Sequence, residues 1–289
     1  MTLLPEERIK TMLIVGLGLL GGSAAMAARS TGIARRVIAH SRAGAPHIEA
    51  ANAGVIDGYT ENLTAAVAES DFILLCQPVD AIAQILPTVM AAARPGTVVT
   101  DVGSTKGSLV EVADSIQSEA AFVGSHPMAG SHLTGWRNGR PDLFAGATTY
   151  VTLTKETNLA AVGRVTRFWK LLGSRVILTD PQRHDRLVAL LSHVPHMTAA
   201  AIMRHLEASG EDPAFMKLLS GNGLRDTTRI AAGSPIVWRE ICQHNAPQIA
   251  RQLRELGAII ERLAVSIEHG RLDEVEAELS AAALLREKF

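Results

Sequence analysis

Short unbroken apolar runs alternate with longer amphipathic segments along the first part of the chain. The run TMLIVG (11–16) has no polar face, as a strand buried on both sides requires. Residues 23–30 are Ala-rich and read as a helix, and RVIAHS (36–41) reads as the next strand. The alternation then repeats. AAVAESD is helical, FILLCQP is strand-like and ended by Pro78, and VDAIAQILPTVMAAA is helical up to the Pro95-Gly96 turn. TVVTDVGS predicts a strand and KGSLVEVADSIQSE a helix. AAFVGSHP, ATTYVTLT and RVILTD predict three more strands, with an amphipathic helix over 158–172. Such alternation implies an α/β Rossmann-type domain with an open, mainly parallel sheet.

After Asp180 the period changes, and no strand pattern remains. Asp180 caps a helix that Pro181 opens, and Pro195 inside it predicts a kink or a break. Further helices are expected over 213–220, 235–245, 246–270 and 272–289. The chain therefore divides into an α/β domain, 1–180, and an all-α domain, 181–289, with a tight hinge near residue 180. The Leu, Ile and Ala of the helical half predict burial against a second subunit, and hence a homodimer.

Composition narrows the classes. In 289 residues, 28 basic side chains balance 29 acidic ones, which gives no footprint for nucleic acid or for a polybasic membrane surface. The two cysteines, Cys76 and Cys242, make no metal spacing and suggest a reducing, cytoplasmic setting. Residues 11–26 carry no charge and follow Arg8 and Lys10, so a secretory or single-span reading exists. Gly16, Gly18, Gly21 and Gly22, with Glu6 and Glu7 ahead of them, argue against it.

Those glycines support a different reading. GLGLLG (16–21) fits G-x-G-x-x-G between a strand and a helix. Gly16 allows the tight turn, Gly18 lets backbone approach a pyrophosphate, and Gly21 allows close helix–strand packing. Leu19 and Leu20 lie between the second and third glycines, ahead of the helix whose N-terminus meets the phosphate charge. Gln77 and Pro78 follow a neighbouring strand and join the cofactor set. Gly16, Gln77, Ser104 and His126 all follow strand runs and should gather at one sheet edge, facing the nicotinamide. The second strand ends in His40, Ser41 and Arg42, and no acid occurs until Glu49. A hydroxyl and a guanidinium suit a ribose 2′-phosphate that a carboxylate would repel. NADP is therefore expected in preference to NAD, read by Ser41 and Arg42 with His40 near the adenine.

GSHPMAGSHLTGW (124–136) has no helical or strand period, yet it holds two histidines and few charges. With GLGLLGGS, DVGSTKGS, SHVPHMTAAAI and GLRDTTRIAAGSPIVW, in this order along the chain, it resembles the prephenate and arogenate (cyclohexadienyl) dehydrogenases of tyrosine biosynthesis. That resemblance implies a nucleotide-binding domain, a helical dimerisation domain and an active site between them. It also implies oxidative decarboxylation of a cyclohexadienol, prephenate or arogenate, with hydride transfer to the cofactor. His126 is then the proton acceptor, since imidazole takes a proton near neutral pH. Ser104 orients the hydroxyl or the nicotinamide, although spacing alone suits a helix cap equally well. Arg229 is the carboxylate clamp, where an ion pair with Asp226 is the plainer alternative. His196 contacts substrate and His193 supports it. Two histidines at that spacing could hold a metal, but no further ligand is evident and none is expected. Ser131 and His132 approach the substrate side chain, while Trp136 and Trp238 read as packing. No single residue decides between prephenate and arogenate. A different two-domain hydroxyacid dehydrogenase would place a catalytic lysine on the helical half, and Lys217 and Lys288 match no such motif. A non-catalytic dinucleotide sensor would need the glycines without His126 and Arg229.

Overall fold

The computed structural model describes residues 8–40, 45–131 and 133–289. Six parallel strands form the central sheet: β1 (Ile9–Val15), β2 (Ala34–His40), β3 (Gly58–Thr60), β4 (Phe72–Leu75), β5 (Val98–Asp101) and β6 (Ala121–Val123). Their order is β3-β2-β1-β4-β5-β6, so the chain changes direction of travel between β1 and β4. The crossovers are α1 (Leu19–Thr31), α2 (Ala45–Asn52), α3 (Leu63–Glu69), α4 (Val79–Ala92) and α5 (Gly107–Asp114). The unbroken apolar run of β1 is explained by its two faces. Met12 and Ile14 enter the core with α1, and Leu13 and Val15 enter the one with α3 and α4. Register sets the site. Val15 pairs with His40 and Leu75, and Leu75 pairs with Asp101, so these strands end together at one edge. Ligands bind at such an edge where the strand order reverses.

Two expected strands and the end of a third do not continue this sheet. AAFVGSHP is divided by Gly124, after which β7 (Ser125–Pro127) turns away. It pairs antiparallel with β8 (Thr148–Thr152), and β8 pairs parallel with β9 (Arg175–Thr179), forming a separate three-stranded sheet. Gly124 is where a side chain would not fit, because an added Cβ would lie 2.6 Å from Thr152 Oγ1. Helix α6 (Leu159–Leu171) packs Phe168 and Trp169 beneath both sheets.

The second half is helical, as the pattern implies. Asp180 accepts from Arg183 N at 2.7 Å and caps α7 (Pro181–Val188). The break ahead of Pro195 takes the form of a π turn, Ala189–His193, followed by α8 (Val194–Ala208). Pro195 cannot donate an amide hydrogen, and the π turn just before it accommodates the missing bond while the backbone stays helical. Next come α9 (Pro213–Leu219), α10 (Asn222–Thr228), a 3-10 turn (Arg229–Ala232), α11 (Pro235–His244), α12 (Ala246–Glu268) and α13 (Leu272–Arg286). No helix of the described residues is long and apolar enough to cross a membrane.

Candidate active site

The glycine turn has the form its spacing predicts. Gly16 has φ +99°, and a Cβ there would meet the Cys76 carbonyl at 3.0 Å and Gln77 Cγ at 2.9 Å. A Cβ on Gly21 would lie 2.2 Å from the Gly16 carbonyl, so helix and turn touch only because that atom is missing. Helix α1 starts after Gly18 with no side-chain cap, which leaves amides available for an anion. Gln77 Oε1 is buried and has no hydrogen-bond partner among the described residues. An uncapped helix start and an orphaned polar atom, both beside a bare backbone turn, fit a dinucleotide.

A cleft of about 450 Å³ opens there. Gly18, Leu19, Leu20, Gln77 and Pro78 form its cofactor wall, and Ser104, His126 and Ser131 line it further in. A larger cavity of about 610 Å³, among Arg8, Lys10, Asp71 and Arg164, lies at the opposite edge, where β1 and β4 begin. It is remote from His126.

His126 is nearly buried on β7 and belongs to a chain that spacing does not reveal. Its Nδ1 lies 3.0 Å from His184 Nε2, and His184 Nδ1 lies 2.8 Å from Asp185 Oδ1. Asp185 also accepts from the Lys106 and Gly107 amides, each at 2.8 Å. A residue of α7 therefore caps α5, and Ser104 is not that cap. Burial pushes the Asp185 carboxyl up, but hydrogen bonds from His184 and those two amides outweigh it and hold the carboxyl below its usual range. The ionised carboxylate fixes the tautomers. His184 donates its Nδ1–H, so its Nε2 accepts from His126 Nδ1–H, and the lone pair of neutral His126 is left on Nε2. Burial, then the charges of His184, Lys106 and His193, push the His126 pKa well below 6.5. His184 is lowered by burial against the pull of Asp185.

Beneath His126, Lys106 pairs with Asp101 without any exposure of either side chain. Asp101 also accepts from Ser125 N at 2.9 Å, which fixes the start of β7. Ser125 Oγ in turn accepts from Trp169 Nε1 at 3.0 Å.

The helical half supplies a second cluster. His196 stacks on Trp238 with ring centres 3.6 Å apart, and His193 meets the same indole edge-on at 5.8 Å. His193 Nδ1 lies 3.4 Å from Asn245 Nδ2, which donates to the Asp185 carbonyl. Burial brings the His193 pKa to about 4. Burial lowers that of His196 too, opposed by a backbone hydrogen bond at Ile230. Arg229 precedes Ile230 and is exposed on its 3-10 turn, with no carboxylate paired to it among the described residues. The plainer Asp226 pairing is therefore not made. His193, His196 and Arg229 do not line the cleft, although His193 is near enough to His126 to act on its charge. His40 is buried, with Nδ1 3.0 Å from the Thr60 carbonyl. Ser41, Arg42 and His132 lie outside the described residues. No group of three or more metal-ligating side chains is assembled among the described residues.

Sequence comparison covers both halves. Residues 24–178 match the prephenate dehydrogenase nucleotide-binding domain, and residues 180–281 the prephenate dehydrogenase dimerization domain. The prephenate dehydrogenase of Bacillus subtilis is 32% identical over 263 residues, 89% of this chain and 70% of that protein. The cyclohexadienyl dehydrogenase of Zymomonas mobilis is 30% identical over 261 residues, 89% of this chain and 88% of that one. A crystal structure of A. aeolicus prephenate dehydrogenase with hydroxyphenyl propionate and NAD+ superposes with TM-score 0.88 at 29% identity, covering 96% of this chain and 98% of that one. Synechocystis arogenate dehydrogenase superposes with TM-score 0.84 at 27% identity, covering 96% and 99%. Since both domains match in order, and the buried histidine chain closes where they meet, this chain belongs to the prephenate dehydrogenase family.

Proposed function

We propose that the protein oxidatively decarboxylates a cyclohexadienol, prephenate or arogenate, and transfers the hydride to NADP in preference to NAD. The observation that carries the reading is the Asp185–His184–His126 chain, which presents a neutral imidazole to the cleft that the glycine turn borders.

The dinucleotide would be held by Gly16 to Gly21, Gln77 and Pro78, and when bound it supplies the hydride acceptor. His126 Nε2 accepts the substrate hydroxyl proton while the carbinol carbon gives up its hydride, forming a carbonyl. The bond to the ring carboxylate then breaks and carbon dioxide leaves. Its electron pair enters the ring, and the resulting phenolate takes a proton back from His126. Asp185 stabilises the positive charge that develops along the two rings, in the manner of a buried carboxylate behind a catalytic imidazole. Ser104 orients the reacting groups from the same wall. Arg229 clamps a substrate carboxylate, with His196 contacting the substrate, His193 supporting it, and Ser131 and His132 approaching its side chain. The exposed, unpaired guanidinium of Arg229 and its place beside the His196–Trp238 stack support that assignment. The dimerization-domain match supports a homodimer, and Ser41 and Arg42 support NADP.

Steady-state kinetics with prephenate and arogenate, each with NADP+ and NAD+, test the reading. Turnover with at least one substrate and a lower KM for NADP+ are expected, and Arg42→Ala should raise the NADP+ KM far more than the NAD+ KM. No turnover with either substrate refutes the activity. Equal or better use of NAD+ at low concentration refutes the cofactor preference.

A further inference from the structure

Helix α11 carries two opposed faces. Trp238 points toward His196 of α8 and His193 of the π turn before it. Glu240 is two residues on, roughly 200° around the helix, and so faces the nucleotide-binding domain. His244, one turn further on the Glu240 face, contacts Asp80 in the first turn of α4, and Gln243 donates to Asp80 at 3.3 Å. This clamp fixes α11 against the segment that begins with Gln77 and Pro78. Glu240 is thereby the sole acid lining the His126 cleft among the described residues. It is half-buried, and no described residue gives it a hydrogen bond or an ion pair. A carboxylate that lines a cleft and has no protein donor is free to accept a hydrogen bond from a ligand.

We infer that Glu240 is a specificity-determining residue for the cofactor: it accepts a hydrogen bond from the nicotinamide carboxamide and favours the positively charged oxidised ring over the neutral reduced one. The inference rests on the dinucleotide reading of the cleft. Its location supports this donor over an ammonium on the substrate, because Glu240 lines the same cleft as Gln77 and Pro78 and lies on the helix face opposite Trp238. A carboxylate beside the pyridinium strengthens binding of the oxidised form relative to the reduced one, since only the oxidised ring is charged.

Equilibrium titration decides it without turnover. Oxidised and reduced cofactor, and the oxidised 3-acetylpyridine analogue, which lacks the carboxamide N–H, are bound to wild type, E240Q and E240A. In wild type the carboxamide form should bind more tightly than the acetyl form. E240Q keeps an acceptor oxygen but no charge. It should retain that preference and lose about three- to tenfold of the oxidised-over-reduced ratio. E240A should lose both preferences. An unchanged oxidised-to-reduced ratio in E240Q overturns the inference, even if E240A does not fold. So does an unchanged carboxamide-to-acetyl ratio in folded E240A, or unaltered cofactor binding with a shifted KM for the amino-acid or the keto-acid substrate. Absence of turnover in the wild type would count against the proposed reaction, whereas these binding ratios test Glu240 alone.

Discussion

The two halves of the chain bury their apolar side chains to different extents. In the α/β half, β1 and β4 are sealed on both faces, and their residues sort cleanly into two cores. The helical half gathers Ala189, Ile241 and Ile249 into a small cluster, while Leu218 is 80% exposed and Leu284 62% exposed. Helix α13 buries none of its residues. A sheet with helices on both sides completes its own interior, whereas single-layer helices need another surface. The first half thus completes its own interior, and the second has the composition of half an interface.

The largest test of that contrast is His126→Ala. Turnover should fall by roughly 10²- to 10⁴-fold with thermal stability and cofactor affinity close to wild type. Near-normal turnover would remove His126 from the reaction, and a collapse of stability would show that the scaffold is not closed. Next, Arg229→Lys in the helical half should raise the substrate KM by about 10- to 30-fold, since lysine cannot make the paired contacts of a guanidinium. A wild-type KM would show that the clamp lies elsewhere.

A third test concerns acid. Burial lowers the pKa of His126, His184 and His193 from 6.5, the last to about 4. Below pH 6.5 the unfolded chain binds protons that the folded one refuses, so stability is full above that value and declines as pH falls toward 4. Each such group contributes a slope of roughly 1.4 kcal/mol per pH unit in that window. Denaturant titrations of His193→Gln should show a shallower slope than wild type, and an equal slope would contradict the assignment. The kinetic counterpart is that kcat/KM should hold to pH values below 6.5, because His126 stays neutral there. The smallest effect is a twofold one. Light scattering of the intact chain at micromolar concentration should give the mass of a dimer, and a monomer would mean that the exposed helical face is stable alone.

Much of this was legible in the sequence, and the misses have physical causes. The glycine turn and the loop around His126 were visible because special backbone and unusual composition leave local marks. His184 and Asp185 were not, because QRHDR at a helix start looks like a solvated polar face, and His126 lies 58 residues away. Lys106 looked like a helix-start residue, yet Asp101 at the end of β5 buries it completely. Helix α10 was hidden by Gly221 and Gly223, which weaken any helical pattern. The departure of β7 from the main sheet turns on Gly124, and one glycine in a strand-like run does not announce a change of sheet.

The sealed Lys106–Asp101 pair has a use at the bench. An amine-selective acylating reagent cannot reach an ammonium with no exposure, so in the native protein the other lysines would be labelled and Lys106 would remain unmodified. Label appearing at Lys106 would then time the opening of the corner between β5 and α5, directly beneath His126. Read by mass spectrometry peptide by peptide, that one side chain becomes a clock for how often the floor under His126 comes apart.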